Sequence, residues 1–504
     1  MLRSSSCRAI LRRQSRPFLA RTLATAHPEE YDVVVVGGGP AGLALTSALA
    51  SQQVTRENLK IALVEGSDLS KVMDWSLPPT QFSNRVSSLT NASQLFLEDI
   101  GAWEHVDASR TGVMKNIEVW DGVSDARISF AAEDLPEAED FEGMSHLTEN
   151  LNLQRGLLKH LSTFPNIRVQ HKSKVTSIEE NNGWPLVNLD NGASVRARLL
   201  VGADGFNSPV RTYSKIKPFG WSYDTQGIVA TLEHAPIQNQ TAYQRFLPTG
   251  PIAFLPISET ASSMVWSTKP PLAAAILASE PSVLVQMINA AFRLPHVSMS
   301  YLHKRILEGA ESKQLLSAAQ IQDEIAFREA AHNIDATSAL SSTRSEAGIP
   351  PEGAEFLPPL IRSVQAGTPA SFPLRFNHTE SYLGNRTVLL GDAAHTVHPL
   401  AGQGLNLGLA DADCLAQVIA RAVENGADIG SPTALQPYAQ ERYMENHKMM
   451  AVFDKLHKLY STDNQAVVAL RSTGVEVLNE LDTVKAALML NAGARKKTKN
   501  GGGS

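Results

Sequence analysis

Cysteine is scarce in this sequence. The 504 residues include two cysteines, Cys7 and Cys414, and Cys7 lies in an N-terminal segment that we expect to be removed. A chain left with one cysteine can form no intrachain disulfide, which is typical of proteins that work in a reducing compartment. The fold is therefore expected to depend on its hydrophobic core rather than on covalent cross-links.

Uninterrupted hydrophobic runs are also lacking. Residues 33–55 contain no charged side chain, and their length approaches that of a membrane-spanning helix. The run is broken near its start by Gly37, Gly38, Gly39 and Pro40. A strand, a tight turn and a helix explain the apolar composition without lipid, so we exclude a membrane span here.

Acidic residues are absent from the N-terminus. No acid precedes Glu29, and the first 26 residues carry six arginines together with serines and short apolar groups. This composition predicts a mitochondrial presequence over residues 1–26, in preference to a secretory signal or a nucleic-acid-binding tail. Its removal leaves 39 basic against 51 acidic residues, a net charge near −12, which argues against nucleic acid as a partner.

The first motif of the folded part is a glycine-rich turn between a strand and a helix. An apolar run ending at Val36 is followed by Gly37, Gly39 and Gly42. These glycines permit a tight turn, the approach of a pyrophosphate and close packing of helix against strand. Glu65 ends the next apolar strand, 23 residues after Gly42, at the spacing expected for an acid that meets ribose hydroxyls.

Two later strands also end in an acid beside a glycine. The run Leu199–Val201 leads to Asp204 and Gly205, followed by a predicted helical turn that contains Ser208 and Arg211. A carboxylate here can organise basic groups and water beside a pyrophosphate. In isolation, the Asp-Gly pair is equally well explained as a hairpin turn.

The third motif begins with the apolar run Thr387–Leu390. Gly391 and Asp392 follow it, and then Pro399, Gly402, Gly404, Leu405 and Asn406 lead into a helix predicted to start near Leu405. This arrangement places a carboxylate where it can hold a sugar hydroxyl. It also presents a helix N-terminus to a flat, electron-rich group such as a reduced flavin.

In this order and at these separations, the three motifs resemble the flavin-dependent aromatic hydroxylases of the para-hydroxybenzoate hydroxylase type, from about Tyr31 to about Tyr443. The resemblance implies FAD as cofactor and an α/β fold: a Rossmann-like FAD-binding domain, an interleaved β-sheet substrate domain and a helical C-terminus. It assigns Asp392 to the ribityl chain, places Arg85 near the flavin and turns Gln154 and Arg155 towards the cofactor. The implied FAD site comprises Gly37, Gly39, Ala41, Gly42, Glu65, Arg85, Gln154, Arg155, Asp204, Gly205, Gly391, Asp392, Pro399, Gly402, Gly404, Leu405 and Asn406.

Within that family, the run from Gly391 to Asn406 is most similar to the ubiquinone-biosynthesis hydroxylases, although some soluble phenol hydroxylases share much of it. This resemblance implies hydroxylation of ring C5 of a polyprenylated 4-hydroxybenzoate-type precursor with O2, through a flavin C4a-hydroperoxide and with no catalytic side chain assigned. It implies ferredoxin and ferredoxin reductase as electron donors, contact with other ubiquinone biosynthesis proteins, and a peripheral position on the matrix side of the inner mitochondrial membrane. An NAD(P)H-dependent phenol hydroxylase and a non-catalytic prenyl-binding carrier remain as alternatives.

The length of the mature chain predicts more than one lobe. We assign residues 27–215 and 371–437 to the FAD-binding domain, with 101–144 contributing to the substrate lobe. Residues 216–370 form the substrate domain, including an inserted region over 310–370 with a helix near Ser317–Ala331 and a long loop that follows it. Residues 438–495 are assigned to C-terminal helices, whose apolar stripes indicate packing or a surface contact.

Two other chemistries are disfavoured by the sequence. His395 and His398 lie three residues apart, but no carboxylate or thiol cluster accompanies them at metal-ligand spacing, so we expect no metal. Ser87 and Ser88 lack the glycines of a nucleophile elbow, so hydrolase chemistry is not supported.

Overall fold

The computed structural model describes residues 28–135, 142–332, 356–397 and 402–491. The strands are β1 Glu29–Val36, β2 Ile61–Val64, β3 Val86–Thr90, β4 Thr111–Met114, β5 Asn116–Asp121, β6 Arg127–Ala131, β7 Ser145–Glu149, β8 Arg168–Gln170, β9 Val175–Asn181, β10 Trp184–Leu189, β11 Ser194–Gly202, β12 Pro218–His234, β13 Thr241–Leu247, β14 Gly250–Pro256, β15 Ala261–Thr268, β16 Ile361–Val364, β17 Ala370–Thr379, β18 Leu383–Gly384, β19 Thr387–Leu389 and β20 His395–Thr396.

The helices alternate with these strands in the first half of the chain and dominate its C-terminal end. They are α1 Pro40–Ser51, α2 Gln53–Asn58, α3 Ser70–Met73, α4 Asn91–Asp99, α5 Asn150–Ser162, α6 Pro209–Tyr213, α7 Pro270–Ala278, α8 Pro281–Arg293, α9 His296–Glu311, α10 Ala318–Ala331, α11 Gln403–Glu424, α12 Pro432–Tyr460, α13 Gln465–Asn479 and α14 Asp482–Asn491.

One lobe is built on a sheet with a parallel centre. Among the described residues its strand order is β18-β19-β11-β1-β2-β8, with β10 and β9 added beside β11. The last four residues of β1 and all of β2 are buried, as expected for parallel strands covered by helices on both faces. We call this sheet, with the helices that cover it, the parallel lobe.

The second lobe is built on a largely antiparallel sheet. Its strand order is β20-β17-β12-β15-β14-β13-β5-β6, with β16 beside β12. Alternate residues of β12 point to opposite faces, and Ile228, Ala230 and Leu232 join a core with α7, α8, α9 and α10. We call this sheet and these four helices the antiparallel lobe. A small sheet, β3-β7-β4, lies against it through Met114 and Leu147.

Each lobe has its own hydrophobic core. One cluster of buried side chains collects residues from β1, β2, β11, α1 and α11, and a second collects residues from β12, β15, α8 and α9. The chain enters the antiparallel lobe twice, first through β5 and β6 and then from β12 onwards. β5 and β6 lie within residues 101–144, the segment predicted to contribute to the substrate lobe.

The structure differs from the sequence-based boundaries at two places. β17 lies within the segment assigned to the FAD-binding domain, yet it pairs with β12 of the antiparallel lobe over nine residue pairs. The C-terminal helix begins at Pro432, before the expected boundary at 438, because the Ser431 hydroxyl accepts from the Ala434 backbone N–H and a proline occupies the first turn.

The inserted region contains the expected helix. It spans Ala318–Ala331, and Ser317 and Gln320 form a capping box at its N-terminus. The loop that follows falls largely on residues 333–355, outside the described residues. Within the described part of the chain, no helix is both long enough and apolar enough to cross a membrane.

Candidate functional site

The three sequence motifs meet at one edge of the parallel lobe. β1 pairs in parallel with β2 and with β11, and β11 pairs in parallel with β19. Val36 is in register with both Val64 and Gly202, and Gly202 with Leu389. The residues that follow these strand ends therefore form one cluster, at the edge where α/β sheets bind their ligands.

The glycine turn after β1 has the geometry that the sequence predicted. Gly37 adopts φ +117°, and a Cβ placed on it would lie 2.2 Å from the Ala203 carbonyl oxygen. A Cβ on Gly42 would lie 2.0 Å from the Gly37 carbonyl oxygen. No atom of the described residues lies within 4 Å of the corresponding position on Gly39. Gly37 and Gly42 thus permit close packing, whereas Gly39 leaves open space beside the turn.

The helix that follows this turn presents an uncapped N-terminus. Gly39 is the N-cap of α1 and supplies no side-chain acceptor, and Pro40 occupies the first turn. Ala41 follows Pro40 in that turn. The free backbone N–H groups and the helix dipole make such an end a binding site for phosphate groups.

Glu65 is held against the glycine turn. Its Oε2 accepts from the Gly38 backbone N–H at 2.6 Å, and its Oε1 accepts from the Ser67 N–H at 2.6 Å. Gln154 reaches the same turn from α5, since its Nε2 donates to the Gly38 carbonyl at 3.1 Å. Both predicted residues therefore lie at the turn, with Glu65 at the end of the neighbouring strand.

Asp204 has one carboxylate oxygen committed to the protein. Its Oδ2 accepts from the Val210 N–H at 3.1 Å, while its buried Oδ1 has no hydrogen-bond partner among the described residues. Burial raises the pKa of this carboxyl, against the opposing effect of the Ser208 and Val210 hydrogen bonds. A buried acceptor without a partner indicates a position where a ligand or a water donates. Gly205 beside it adopts φ +79° with open space around it.

Arg211 joins the second motif to the third. It is buried, and it donates from one terminal nitrogen to the Ala393 carbonyl at 2.8 Å and from the other to the Phe206 carbonyl at 2.5 Å. Ser208 caps the short helix α6 that carries this arginine. The loop after β11 and the turn after β19 are thus fixed to each other by one guanidinium group.

The turn after β19 presents Asp392 at the shared edge. Gly391 adopts φ +57°, and its N–H donates to Asp411 Oδ2 at 3.0 Å. A Cβ on Gly391 would lie 3.3 Å from the Ala41 Cβ, so this turn packs directly on the start of α1. Asp392 is exposed, so its carboxylate is accessible to a ligand hydroxyl.

The N-terminus of α11 is a second uncapped helix end. Gly402 is its N-cap, with φ +62° and no side-chain acceptor. Among the described residues, a Cβ on Gly402 would lie 3.8 Å from Ser88 and a Cβ on Gly404 would lie 3.5 Å from Val397. The half-buried Leu405 packs beside them on the core of the parallel lobe. Pro399 lies outside the described residues.

Two predicted residues, Asn406 and Arg155, have contacts that differ from a direct cofactor role. Asn406 uses all its hydrogen-bonding capacity inside the protein, with Ser88, Thr90, Ser93 and Gln403. Its amide therefore fixes α11 to β3.

The two arginines of the predicted set have different surroundings. Arg155 donates to the Trp75 carbonyl at 2.8 Å and to Asp107 at 3.3 Å. Arg85 is exposed at the start of β3. Arg155 thus organises the neighbouring loop, and Arg85 remains available to a ligand.

Sequence reasoning missed a buried polar cluster behind the turn. It consists of Asp411 on α11 with His395, Arg442 and Asn446. A signal was available, because Asp411 lies four residues from both Leu407 and Leu415 and so shares the buried face of an amphipathic helix. His395, weighed as a metal ligand in the sequence, donates to this carboxylate instead. The described residues contain no group of three or more potential metal ligands, and His398 lies outside them.

The residues at this edge fit FAD. Two uncapped helix N-termini and the open side of Gly39 suit a pyrophosphate and an electron-rich ring system. The free Oδ1 of Asp204, with the carboxylates of Glu65 and Asp392, supplies acceptors for ribose and ribityl hydroxyls. The set of donors and acceptors matches a dinucleotide with a sugar-alcohol chain.

Comparison with known proteins agrees with this assignment. A family model described as an FAD binding domain matches residues 30–309 and 361–452. The fold is similar to that of p-nitrophenol 4-monooxygenase PnpA from Pseudomonas putida, with TM-score 0.63 and 16% identity, covering 93% of this chain and 100% of that one. It is also similar to a Klebsiella pneumoniae HpxO variant complexed with FAD, with TM-score 0.59 and 15% identity, covering 92% and 99%. The fold and the site define an FAD-binding protein.

Curated relatives identify the particular family. The chain is 37% identical to the mitochondrial ubiquinone biosynthesis monooxygenase COQ6 of Saccharomyces cerevisiae over 96% of this chain and 98% of the relative. Identity to the protein of the same name is 36% in Xenopus tropicalis, with 97% and 98% covered, and 34% in Homo sapiens, with 91% and 92% covered. The chain belongs to this family of mitochondrial ubiquinone biosynthesis monooxygenases. The predictions of fold class, FAD and an oxygen-using oxidoreductase are confirmed.

Proposed function

We propose that this enzyme hydroxylates ring C5 of a polyprenylated 4-hydroxybenzoate-type precursor of ubiquinone, using O2. The observation that carries the proposal is the position of the FAD-fitting edge of the parallel lobe. The N-terminus of α11 at this edge is bonded through Asn406 to β3, and β3 belongs to the small sheet that packs on the antiparallel lobe. The ring end of the cofactor would therefore face the antiparallel sheet.

The face of the antiparallel sheet that looks towards the small sheet supplies an apolar wall. Val229, Val265, Ala253 and Gln244 form a row across four strands, since each is in register with the next. Side chains two residues further along the same face, Leu255 among them, pack against Met114 and Leu147. We call the row of Val229, Val265, Ala253 and Gln244 the substrate wall.

The composition of the substrate wall suits an aromatic ring with an isoprenoid tail. Ala253 and Val265 are apolar, Gln244 is polar but uncharged, and all three are half-buried, so the surface is mostly apolar and partly accessible. A substrate held here would shield the ring end of the cofactor from water, and burial of its tail would provide most of the binding free energy.

The protein's contribution to the reaction is binding, orientation and exclusion of water. Bound, reduced FAD would supply the two electrons that activate O2, so that one oxygen atom enters the phenolic ring and the other leaves as water. Asp204, Glu65 and Asp392 hold hydroxyls of the cofactor, and the two helix N-termini stabilise its negative charge. No side chain of the chain is assigned as nucleophile or general base.

We further propose that electrons reach FAD from a ferredoxin and its reductase. The support is the resemblance to the mitochondrial ubiquinone hydroxylases. The chain has one glycine fingerprint, Gly37 to Gly42, and no second one for a separate nicotinamide domain. An NAD(P)H-dependent hydroxylase of a soluble phenol is the alternative that the reduction experiment below distinguishes.

We place the enzyme on the matrix side of the inner membrane as a peripheral protein, in contact with other ubiquinone biosynthesis proteins. The exposed face of α12 supports a membrane contact. Met444, Val452 and Leu459 recur on it at helical spacing and are 53%, 50% and 40% exposed. Lys448 and Lys455 lie on the same face, and this combination of apolar and cationic side chains is favourable at an anionic lipid surface.

The electron donor is tested by anaerobic reduction. FAD-loaded enzyme is titrated with NADPH and then with a ferredoxin, its reductase and NADPH, while flavin absorption is followed. We expect bleaching with the ferredoxin pair and none with NADPH alone. Rapid bleaching by NADPH alone would contradict the proposed donor and favour the phenol hydroxylase alternative.

The substrate and the position of attack are tested by product analysis. The reduced system is supplied with O2 and either a 4-hydroxy-3-polyprenylbenzoate or the same acid without its tail, and the product is analysed by NMR. We expect hydroxylation at C5 and a strong preference for the prenylated acid. Equal turnover of the untailed acid, or attack at another carbon, would contradict the proposal.

A further inference from the structure

The turn that carries Asp392 is backed by one fully buried carboxylate. Asp411 is 0% exposed and accepts four hydrogen bonds. Its Oδ2 accepts from the Gly391 N–H at 3.0 Å and from His395 Nε2 at 2.6 Å. Its Oδ1 accepts from Arg442 Nε at 2.8 Å and from Asn446 Nδ2 at 3.0 Å. Both oxygens are fully engaged, so Asp411 does not serve as a direct ligand for FAD.

The carboxylate remains ionised in its buried position. Burial raises the pKa of Asp411, but the charges and hydrogen bonds of His395 and Arg442 outweigh burial and hold the pKa well below its usual range. A buried charge with this many donors is costly to disturb, because removal of one partner leaves the others unsatisfied. The geometry around Asp411 is therefore rigid.

The four donors come from three separate segments. Gly391 belongs to the turn after β19, His395 to β20, and Arg442 and Asn446 to α12. Asp411 itself lies on α11, nine residues after the N-cap Gly402. One carboxylate thus fixes the Asp392 turn relative to the uncapped start of α11, and both of these are at the FAD-fitting edge.

The contribution of α12 is the unexpected part of this arrangement. Arg442 also donates to Asn446 Oδ1 at 2.8 Å, and Asn446 donates to the Tyr382 hydroxyl at 3.0 Å, so the helix side of the cluster is itself cross-linked. Asn446 is thereby connected to the FAD-fitting edge by two routes. One passes through Asp411, and the other passes through Tyr382, whose carbonyl accepts from the Leu389 N–H at 2.9 Å.

We propose that Asp411 is a positioning residue that holds the Asp392 turn and the N-terminus of α11 in the relative orientation required by FAD. Through Arg442 and Asn446, α12 is a structural part of the FAD site. This inference rests on the FAD cofactor and is independent of the proposed substrate, donor and position of hydroxylation. Its failure would therefore leave those proposals untouched.

The test uses a neutral substitution in the cluster and a matched one far from it. Asn446→Leu removes the amide bonded to Asp411. Asn289→Leu removes a buried amide of the antiparallel lobe that exchanges two hydrogen bonds with the Ile361 backbone, at 2.9 and 3.0 Å. Each apoprotein is titrated with FAD by the quenching of flavin fluorescence, its unfolding by urea is measured, and the visible circular dichroism of the bound flavin is recorded.

We expect Asn446→Leu to weaken FAD binding at least tenfold and to change the dichroism of the flavin. Asn289→Leu should lower stability to a similar extent and leave the FAD dissociation constant within twofold of the parent. An unchanged dissociation constant in Asn446→Leu would overturn the inference. Equal weakening in both variants would also overturn it, since FAD binding would then follow global stability alone.

A second variant covers the case in which Asn446→Leu fails to fold. Asp411→Asn combined with Arg442→Met removes the carboxylate and the guanidinium together, so that neither of these two groups is left buried without the other. We expect the same weakening of FAD binding in this double variant. FAD binding equal to that of the parent in the folded double variant would contradict a positioning role for Asp411.

Discussion

The two lobes present their functional groups in different ways. In the parallel lobe the groups lie at strand ends and helix starts, and the important positions are backbone N–H groups, glycines and carboxylates beside them. In the antiparallel lobe the substrate wall is a face of a sheet, made of side chains in cross-strand register. The cofactor site therefore depends on the path of the backbone, and the substrate wall depends on side-chain volume.

The largest expected effects come from two glycines whose environments match. Gly37 in the parallel lobe and Gly250 in the antiparallel lobe adopt φ +117° and +137°, and a Cβ on either would lie 2.2 or 2.3 Å from a backbone carbonyl oxygen. We expect Gly37→Ala and Gly250→Ala each to lower the free energy of unfolding by on the order of 3 kcal/mol or more, from backbone strain and overpacking.

The two glycine variants should separate in cofactor binding. Gly37→Ala displaces the turn that receives the pyrophosphate, so FAD retention should be lost even in the folded fraction. Gly250→Ala should retain FAD with the dissociation constant of the parent. Urea unfolding of the apoproteins and titration with FAD measure both quantities, and loss of FAD from Gly250→Ala would break the distinction between the lobes.

The next comparison adds volume to open space in each lobe. No atom of the described residues lies within 4 Å of a Cβ on Gly39, and the φ of Gly39, −71°, suits any residue. Gly39→Val should therefore leave the free energy of unfolding of the apoprotein within about 1 kcal/mol of the parent. The added side chain occupies the space beside the uncapped start of α1. FAD binding should therefore be lost while the fold persists.

Ala253→Phe adds volume to the substrate wall and should lower turnover without affecting FAD binding. We expect it to retain FAD and to lose at least tenfold in kcat/KM for the prenylated substrate, with about 1–3 kcal/mol of destabilisation from overpacking. Flavin absorption after gel filtration and steady-state turnover test it. An Ala253→Phe enzyme with the turnover of the parent would remove this residue from the proposed wall.

The smallest expected effects concern two buried histidines. Burial is the main cause that lowers the pKa of both His378 and His303 from 6.5 to about 4. The unfolded state then binds more protons than the folded state between about pH 6.5 and 4. Each neutral histidine makes its full contribution to the free energy of unfolding above pH 6.5. That contribution falls by up to about 1.4 kcal/mol per pH unit as the pH decreases towards 4.

Substitution of either histidine should make the free energy of unfolding less dependent on pH, and the two variants should differ in stability at pH 7. His378 is bonded to the Tyr382 hydroxyl at 3.1 Å, so His378→Phe should cost about 1 kcal/mol at pH 7. His303 Nε2 has no partner among the described residues, so His303→Phe should cost less. Urea unfolding at pH 7, 6 and 5 measures both effects. An unchanged pH dependence in both variants would contradict the lowered pKa values of His378 and His303.

The same contrast explains how much could be predicted from the sequence. The strands that end at Val36, Gly202 and Leu389 and the helices at Pro40 and Gln403 were predicted within a few residues, because local composition determines them. The meeting of the three motifs at one edge followed from parallel topology. The cofactor half of the site is therefore largely readable from local patterns.

Long-range pairings were not predictable in this way. Residues 371–379 of β17 were assigned to the FAD-binding domain, and their pairing with β12 was not predicted, because β12 lies more than a hundred residues earlier. Asp411 was missed because its partner Arg442 comes 31 residues later on another helix. The orientation of Arg155 towards the cofactor stays a prediction. Its bonds to the Trp75 carbonyl and the Asp107 carboxylate were not predicted, because the sequence alone does not place these groups beside it.

The most direct test of the central claim is the origin of the oxygen in the product. The FAD-loaded enzyme, reduced by ferredoxin and its reductase, is supplied with ¹⁸O₂ and the prenylated 4-hydroxybenzoate, and the product is analysed by mass spectrometry. We predict one ¹⁸O atom per product molecule, lost when Gly39→Val removes FAD. An unlabelled product, or label acquired from H₂¹⁸O, would contradict an FAD-dependent monooxygenase reaction at this site.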